Sequence, residues 1–244
     1  MYTDTNAMNS QTFKKQIKKL PNTPGVYFFK GASWKVLYIG KATSLKDRVR
    51  SYDAKDLIET RGKRLVKMVE EAKTISYKKT DSVLEALMLE AYLIKLYKPT
   101  YNVQEKDDKS YTVVGITEED FPRVLILRER DVAMGNTPDL KRTYGPFVES
   151  KSIKESMKII RKIIPFRNKC ESFNKDKKRQ RRCFNAEIGL CPGVCDGSIN
   201  KKEYQKSIKK ISLILEGKIS TLVRQLEKEM KHEASKKNLK KLVF

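Results

Sequence analysis

Between Ser82 and Pro99 the chain sets Val83, Leu84, Leu87, Met88, Ala91, Leu93, Ile94 and Leu96 at helical spacing, and this run constrains the fold more than any other. Asp81 or Ser82 can cap its start, and Pro99 ends it, because proline disfavours helical backbone in the residue before it. One carboxylate, Glu90, sits midway along the apolar run, where a charge needs a reason. Upstream, Val26-Tyr27-Phe28-Phe29 and Val36-Leu37-Tyr38-Ile39 are short β-branched and aromatic runs around Gly31-Ala32-Ser33-Trp34, the pattern of a hairpin. Gly40 is expected to break the second strand. Thr43 or Ser44 can then cap a helix over Leu45, Arg48, Val49 and Tyr52.

Residues 61–72 read as a second helix and 73–79 as a third strand. Beyond a charged loop at 105–110, strands are expected at 112–117 and 123–128, a turn at Tyr144-Gly145-Pro146-Phe147, and a helix from about Ser152 to Ile164. From Lys201 onward apolar residues alternate with Lys and Glu at helical spacing, reading as two helices. The fold class is therefore α+β, with a small domain of a three-stranded antiparallel sheet flanked by helices, then a Cys-rich region and C-terminal helices. The expected segments are a basic lead at 1–20, a first domain at 21–105, a connecting α/β segment at 106–165, a Cys-rich loop at 166–200 and a helical tail at 201–244.

With 53 Lys+Arg against 30 Asp+Glu, a formal charge of +23 points to a polyanionic partner, whose affinity would depend on salt through counterion release. A solubilising lysine coat is the alternative, and charge by itself argues binding, not catalysis. No apolar run approaches the roughly 20 residues that span a bilayer, and residues 1–11 lack a signal peptide's charged start and apolar core. A cytoplasmic location is expected. In that reducing setting Cys170, Cys183, Cys191 and Cys195 read as metal ligands before disulfides, with unliganded thiols as the alternative. One histidine, His232, leaves little room for chemistries that need two or for mixed Cys/His zinc sites.

Hydrolysing a phosphodiester takes an activated water, a cation on the scissile phosphate and stabilisation of the leaving oxygen. Tyr27 and Tyr38 lie on neighbouring expected strands, Lys41 follows, and Arg48 and Tyr52 share a helix face four residues apart. Physical reasoning leaves Glu85 and Glu90 level as metal ligands. It leaves open, too, that the tyrosines are core aromatics, that Arg48 is a solvated helix residue, and that Glu105, Asp107 and Asp108 form a rival carboxylate site or a solvated loop.

Gly25-Val26-Tyr27, followed after ten residues by Tyr38-Ile39-Gly40-Lys41, resembles the paired motif of the GIY-YIG nucleases, with Val in place of the motif's Ile. Arg48, Glu90 with Leu93-Ile94 behind it, and Pro99-Thr100-Tyr101-Asn102 match that family's pattern in order. Lys106-Asp107-Asp108-Lys109-Ser110-Tyr111, Phe121-Pro122-Arg123, Tyr144-Gly145-Pro146-Phe147, Phe166-Arg167 and the cysteine loop resemble, more narrowly, the UvrC family of excision-repair nucleases. The resemblance covers about residues 20–200. It implies that Glu90, twelve residues before Asn102, holds one Mg²⁺ or Mn²⁺. Tyr38 would take the proton from water, a role that Tyr27 contests. Lys41 and Arg48 would neutralise the phosphate, and Tyr27, Tyr52 and Asn102 would orient water and phosphate oxygens. A phenolate base is plausible beside a dication and several cationic side chains, against an ordinary pKa of about 10.

The resemblance further implies a metal-dependent endonuclease of nucleotide excision repair, cutting damaged double-stranded DNA on the 3′ side of a lesion. The cysteines, spaced 13, 8 and 4 apart, would hold a 4Fe–4S cluster, with zinc equally suited on ligand type. The basic run that includes Lys177, Lys178, Arg179, Arg181 and Arg182 could track a DNA backbone or be a solvated excursion. Leu226, Met230 and Ala234 resemble the first helix of the hairpin by which this family binds a UvrB-like helicase subunit, with Asn238-Leu239 as its turn. Its second helix is cut short at Phe244, which leaves that partner in doubt. A catalytically silent DNA-binding remnant is the alternative function. Intact Tyr38, Arg48 and Glu90 favour the nuclease, and the segments after residue 105 disfavour a mobile-element or restriction enzyme.

Overall fold

The computed structural model describes residues 10–53, 62–102, 110–168, 170 and 181–241, the side chains of Ser10 and 236–241 excepted. They form two compact units. One comprises Met1–Gly115, Ile126–Pro138 and Thr143–Ser156, the other Ile116–Leu125, Asp139–Arg142 and Met157–Phe244.

The first unit is organised by the hairpin of β1 (Gly25–Lys30) and β2 (Val36–Ala42), joined by β3 (Thr74–Lys79) in the order β2-β1-β3, with β1 antiparallel to both neighbours. Successive side chains of a strand face opposite ways, so β1 feeds two cores. Tyr27 and Phe29 point into one with Phe13 and Ile17 of α1 (Ser10–Lys18), Leu45 and Val49 of α2 (Leu45–Arg50), Tyr52 just beyond it, and Met68 of α3 (Lys63–Glu71). Val26 points into the other with Ile39, Ala86, Leu93 and Ile94, the last three from α4 (Val83–Tyr97). Each fully buried large apolar side chain contributes about 1.5–3 kcal/mol, so this double-sided strand anchors the unit. The caps are those the sequence implies: Ser44 and Ser82 accept the N–H groups of Asp47 and Glu85.

Gly40 does not break β2. The strand runs on to Ala42 because Gly40 pairs with Tyr27, and Lys41 with Val26, across β1. Both motif glycines are sterically demanded. A Cβ on Gly40 would overlap the Tyr27 phenol, and one on Gly25 would overlap the Lys78 carbonyl and meet Leu45 Cδ1 at 2.8 Å.

The remaining elements are β4 (Thr112–Thr117), β5 (Val124–Arg128), the short α5 (Glu129–Ala133), β6 (Leu140–Phe147), α6 (Ser150–Ile163), α7 (Phe184–Glu187), α8 (Lys201–Leu215) and α9 (Ile219–Lys241). Here Tyr144-Gly145-Pro146-Phe147, expected as a turn, is the end of strand β6. The second sheet has the order β5-β4-β6, and its edge is where a strand tolerates a residue without an N–H. Asn238-Leu239, expected to turn, lies within the continuous helix α9. No helix among the described residues is long and apolar enough to cross a membrane.

Gly25→Ala should destabilise the first unit by about 1–3 kcal/mol, the cost of forcing a methyl into a packed backbone contact. Urea unfolding followed by circular dichroism would measure it, and an unchanged midpoint would contradict the packing described.

Candidate active site

β2 lies at an edge of its sheet, and alternate residues of an edge strand turn their N–H and C=O groups away from the neighbour. At Ile39 and Lys41 those groups find side chains instead. Asn102, from the 3-10 turn Thr100–Asn102, accepts the Ile39 N–H on Oδ1 and donates Nδ2 to the Ile39 carbonyl, both at 2.7 Å. Two residues along, Glu90 Oε1 accepts the Lys41 N–H at 2.7 Å. This gives Glu90 its reason for lying on an apolar face: α4 carries it against the edge of β2. The amide of Asn102, expected on water or phosphate oxygens, is committed to the strand.

Three phenols gather on the other face of β2. The ring centroids of Tyr27, Tyr38 and Tyr52 are 6.0–6.4 Å apart, and the Tyr27 and Tyr52 hydroxyls are 2.8 Å apart. Tyr27 is fully buried and Tyr52 nearly so, whereas Tyr38 is only partly covered. Arg48, four residues before Tyr52, lies beside Tyr27, Tyr38 and Tyr52, whose phenols raise its pKa against the effect of burial. Tyr27, Tyr38, Lys41, Arg48 and Glu90 line one cleft of about 720 Å³. Tyr52 and Asn102 support its walls. Glu85, the competing carboxylate, instead accepts the Asp81 N–H at the start of α4.

The cleft contains a carboxylate that sequence reasoning missed. Glu149 follows Phe147 by two residues, and its Oε2 lies 2.8 Å from Lys41 Nζ and accepts the Ser152 hydroxyl at 2.8 Å. Nothing in its sequence surroundings marks it, since the contact joins residues 108 apart. Lys41 and Arg48 thus share the cleft with Asp47, Glu90 and Glu149, two cations against three carboxylates. Burial, with Glu149 nearby, pushes the Glu90 carboxyl up to about 7 although the Lys41 N–H and ammonium oppose it. Hydrogen bonds from Lys41 and Ser152 hold Glu149 below the ordinary carboxylate range. Burial first, then Tyr52 and Glu90, raises the Tyr38 phenol above its ordinary value, and burial raises Tyr27 likewise.

The cysteines and basic residues belong to the second unit. Cys170 Sγ lies 3.4 Å from the Arg167 Nε, Cys191 is buried, and burial, with the neighbouring Cys183, raises the Cys195 thiol. All four are free thiols, yet among the described residues no three or more His, Cys, Asp or Glu side chains are gathered to hold a metal ion. The described residues therefore lend no support to the expected 4Fe–4S or zinc site. Arg182 is engaged with Asp196 and the Ala186 carbonyl, and Arg181 is exposed. Lys177, Lys178 and Arg179, like the rival acids Glu105, Asp107 and Asp108, lie outside the described residues.

A family model for the UvrC-like GIY-YIG domain matches residues 23–103, and one for the UvrC/Cho excinuclease middle domain matches 111–213. The chain belongs to the UvrC family. It carries a GIY-YIG endonuclease domain whose paired motif, on β1 and β2, is the one around which the cleft is built. UvrABC system protein C of Thermoanaerobacter sp. (strain X514) is 38% identical over 227 residues, 91% of this chain and 35% of that protein. The Synechococcus elongatus protein of the same name is 41% identical over 216 residues, 88% of this chain and 32% of that protein. The chain spans about a third of the length of these curated relatives. It is also similar to the GIY-YIG N-terminal endonuclease domain of UvrC from Thermotoga maritima, solved with magnesium. That likeness has 38% identity and a TM-score of 0.34, and covers 39% of this chain and all of the other.

Glu90 sets a pH dependence. Its folded-state pKa stands above the unfolded value, so its contribution to stability is full below about pH 4.5 and is lost as pH rises through about 7. Without divalent cations, thermal melts should decline across that window by up to about 3 kcal/mol. Glu90→Gln should flatten this component. Mg²⁺ added at pH 8 should restabilise the wild type more than the variant, and equal responses would remove Glu90 from the cation site.

Proposed function

We propose that the first unit is a metal-dependent endonuclease that hydrolyses a phosphodiester of damaged duplex DNA, making the 3′-side incision of nucleotide excision repair. The observation that carries this reading is the convergence of a buried carboxylate, two cationic side chains and a reachable phenol on one cleft of a chain with charge +23. Membership of the UvrC family supports the substrate and the repair context. Damaged double-stranded DNA is then the partner, and a UvrB-like helicase subunit is the protein that would deliver it.

A divalent cation fits the cleft on chemical grounds. Glu90 is 6% exposed and its ionised form is destabilised by burial, while three carboxylates outnumber two cations around it. Mg²⁺ or Mn²⁺ held at Glu90 would supply Lewis acidity toward a phosphate oxygen and acidify a bound water. The protein's own side chains do the rest. Lys41 and Arg48 hold the non-bridging phosphate oxygens as charge builds on them. Tyr38, the phenol with access to the cleft, takes the proton of the attacking water. In the surroundings described its pKa is raised, so it acts as a base only where an added cation joins Arg48 in favouring phenolate. Tyr27 stays neutral, its phenol packed against Gly40 and its hydroxyl 2.8 Å from that of Tyr52, and the two phenols border Arg48. Asn102 acts at one remove, by locking the strand that carries Tyr38 and Lys41.

The test uses the full chain with Mg²⁺ or Mn²⁺ on a duplex bearing one bulky adduct, with and without a DNA-loaded UvrB-type helicase. Wild type should cut on the 3′ side. Tyr38→Phe and Glu90→Ala should each lower the single-turnover rate by at least about 100-fold while leaving DNA affinity within a few-fold. Retained binding with no cleavage under any condition would instead leave a catalytically silent DNA-binding protein. Glu149→Gln should free Lys41 for phosphate and steepen the salt dependence of DNA binding by about one counterion. A slope equal to that of wild type would make the Lys41–Glu149 pair incidental.

A further inference from the structure

We propose that Trp34, at the tip of the β1–β2 hairpin, is a stacking contact for an unstacked nucleobase of the bound DNA, a reading that rests on the nuclease assignment. It is the chain's single tryptophan, and it is 70% exposed. The backbone that presents it breaks a local rule. Ser33 (φ 51°) and Trp34 (φ 62°) are consecutive non-glycine residues in the left-handed region, which at hairpin tips falls to Asn-Gly or similar pairs. A bulky side chain there is an outlier that costs stability, and such strain concentrates at binding sites. Trp34 returns little to the core in exchange, being mostly in solvent.

The tip is nonetheless ordered. Gly31 N–H donates to the Lys35 carbonyl at 2.9 Å, and Lys35 N–H donates to the Ala32 carbonyl at 3.1 Å. The ammonium of Lys30 lies 5.3 Å from the centre of the Trp34 ring and 5.8 Å from that of Phe28, which positions it between the two. A cation beneath the ring limits indole mobility and draws electron density from the exposed side, which favours stacking against an electron-rich base. Lys30 and Lys35 flank the ring with positive charge for the adjoining phosphates.

The position suits the proposed chemistry. Trp34 precedes Lys41 by seven residues and lies two residues ahead of β2, a separation of roughly 20 Å along a mostly extended chain. At about 3.4 Å per nucleotide, DNA engaged at Lys41 meets the tip around six nucleotides away. A regular duplex has no free base face to offer, so the ligand is a base displaced from the stack by an adduct, an abasic partner or a bulge.

The experiment uses the full chain in EDTA, so that no strand is cut. It compares a paired duplex with the same duplex carrying one extrahelical purine about six nucleotides from the cleavage position. DNA binding is read by anisotropy of a labelled strand, and Trp34 by its own fluorescence. Saturation with the bulged duplex should quench the emission by more than half, and the paired duplex should quench it far less. Trp34→Ala should weaken binding of the bulged duplex by about tenfold while changing the paired duplex less than twofold, and Trp34→Phe should recover part of the loss. Unchanged emission at saturation, or an equal loss on both duplexes, would overturn the proposal. Anisotropy that shows no binding of either DNA would overturn the nuclease reading and this inference together. Cleavage of adducted DNA by a Trp34→Ala protein with unaltered selectivity would overturn the inference alone.

Discussion

The outward edge of β2 is the fixed reference of the cleft. An edge strand leaves alternate backbone groups without a sheet partner, and here the two that matter are taken by Asn102 at Ile39 and Glu90 at Lys41. The amide of Asn102 matches both the donor and the acceptor of one residue, as a further strand would. Glu90 can match only the donor, so it brings a carboxylate under little solvent to the end of the strand. A single structural need, closing a sheet edge, thereby positions the carboxylate proposed to hold the cation. Tyr38 and Lys41 leave the same short stretch of backbone, so an error of register would displace phenol and ammonium together relative to the Glu90 carboxylate on α4.

Much of this was legible. The apolar period fixed α4, alternation and turn residues placed β1, β2 and β3, and serine caps marked the starts of α2 and α4. The ordered motif led to Tyr27, Tyr38, Lys41, Arg48, Glu90 and Asn102, and the structure brings the first five to one cleft, with Asn102 behind it. What was missed has two physical sources. Gly40 looks like a strand breaker because propensity sees only its lost side chain. The strand continues because the Tyr27 ring fills that space. Tyr144-Gly145-Pro146-Phe147 reads as a turn for the same local reason, although a sheet edge accommodates its proline. Glu149 is a different case: it is joined to Lys41 across 108 residues, and no local pattern encodes such a pair. The metal site expected at the four cysteines finds no gathered cluster among the described residues, which leave out most of that loop.

The tyrosine cluster shows why fold and chemistry have to be weighed together. Packing three phenols beneath the sheet stabilises the core, and it also makes phenolate costly, since burial leads every other influence on Tyr27 and Tyr38. Arg48 opposes that cost without overcoming it. As a set of core aromatics the cluster resists ionisation, and the proposed base role of Tyr38 requires further positive charge. This arrangement would keep the cleft from generating a base in the absence of its cation.

Charge completes the argument at a larger scale. A net charge of +23 favours association with a polyanion, yet the proposed catalytic cleft carries more carboxylates than cations. Non-specific attraction and productive seating are thus separated. Phosphates are drawn to the surface lysines, while the cleft, with Lys41 already held by Glu149, favours a dication first. Once that charge is present, two side-chain cations and a dication face three carboxylates, and the sign of the cleft reverses in favour of a phosphodiester. The order of loading, cation before phosphate, follows from the count of charges in the cleft and from the depth at which Glu90 is buried.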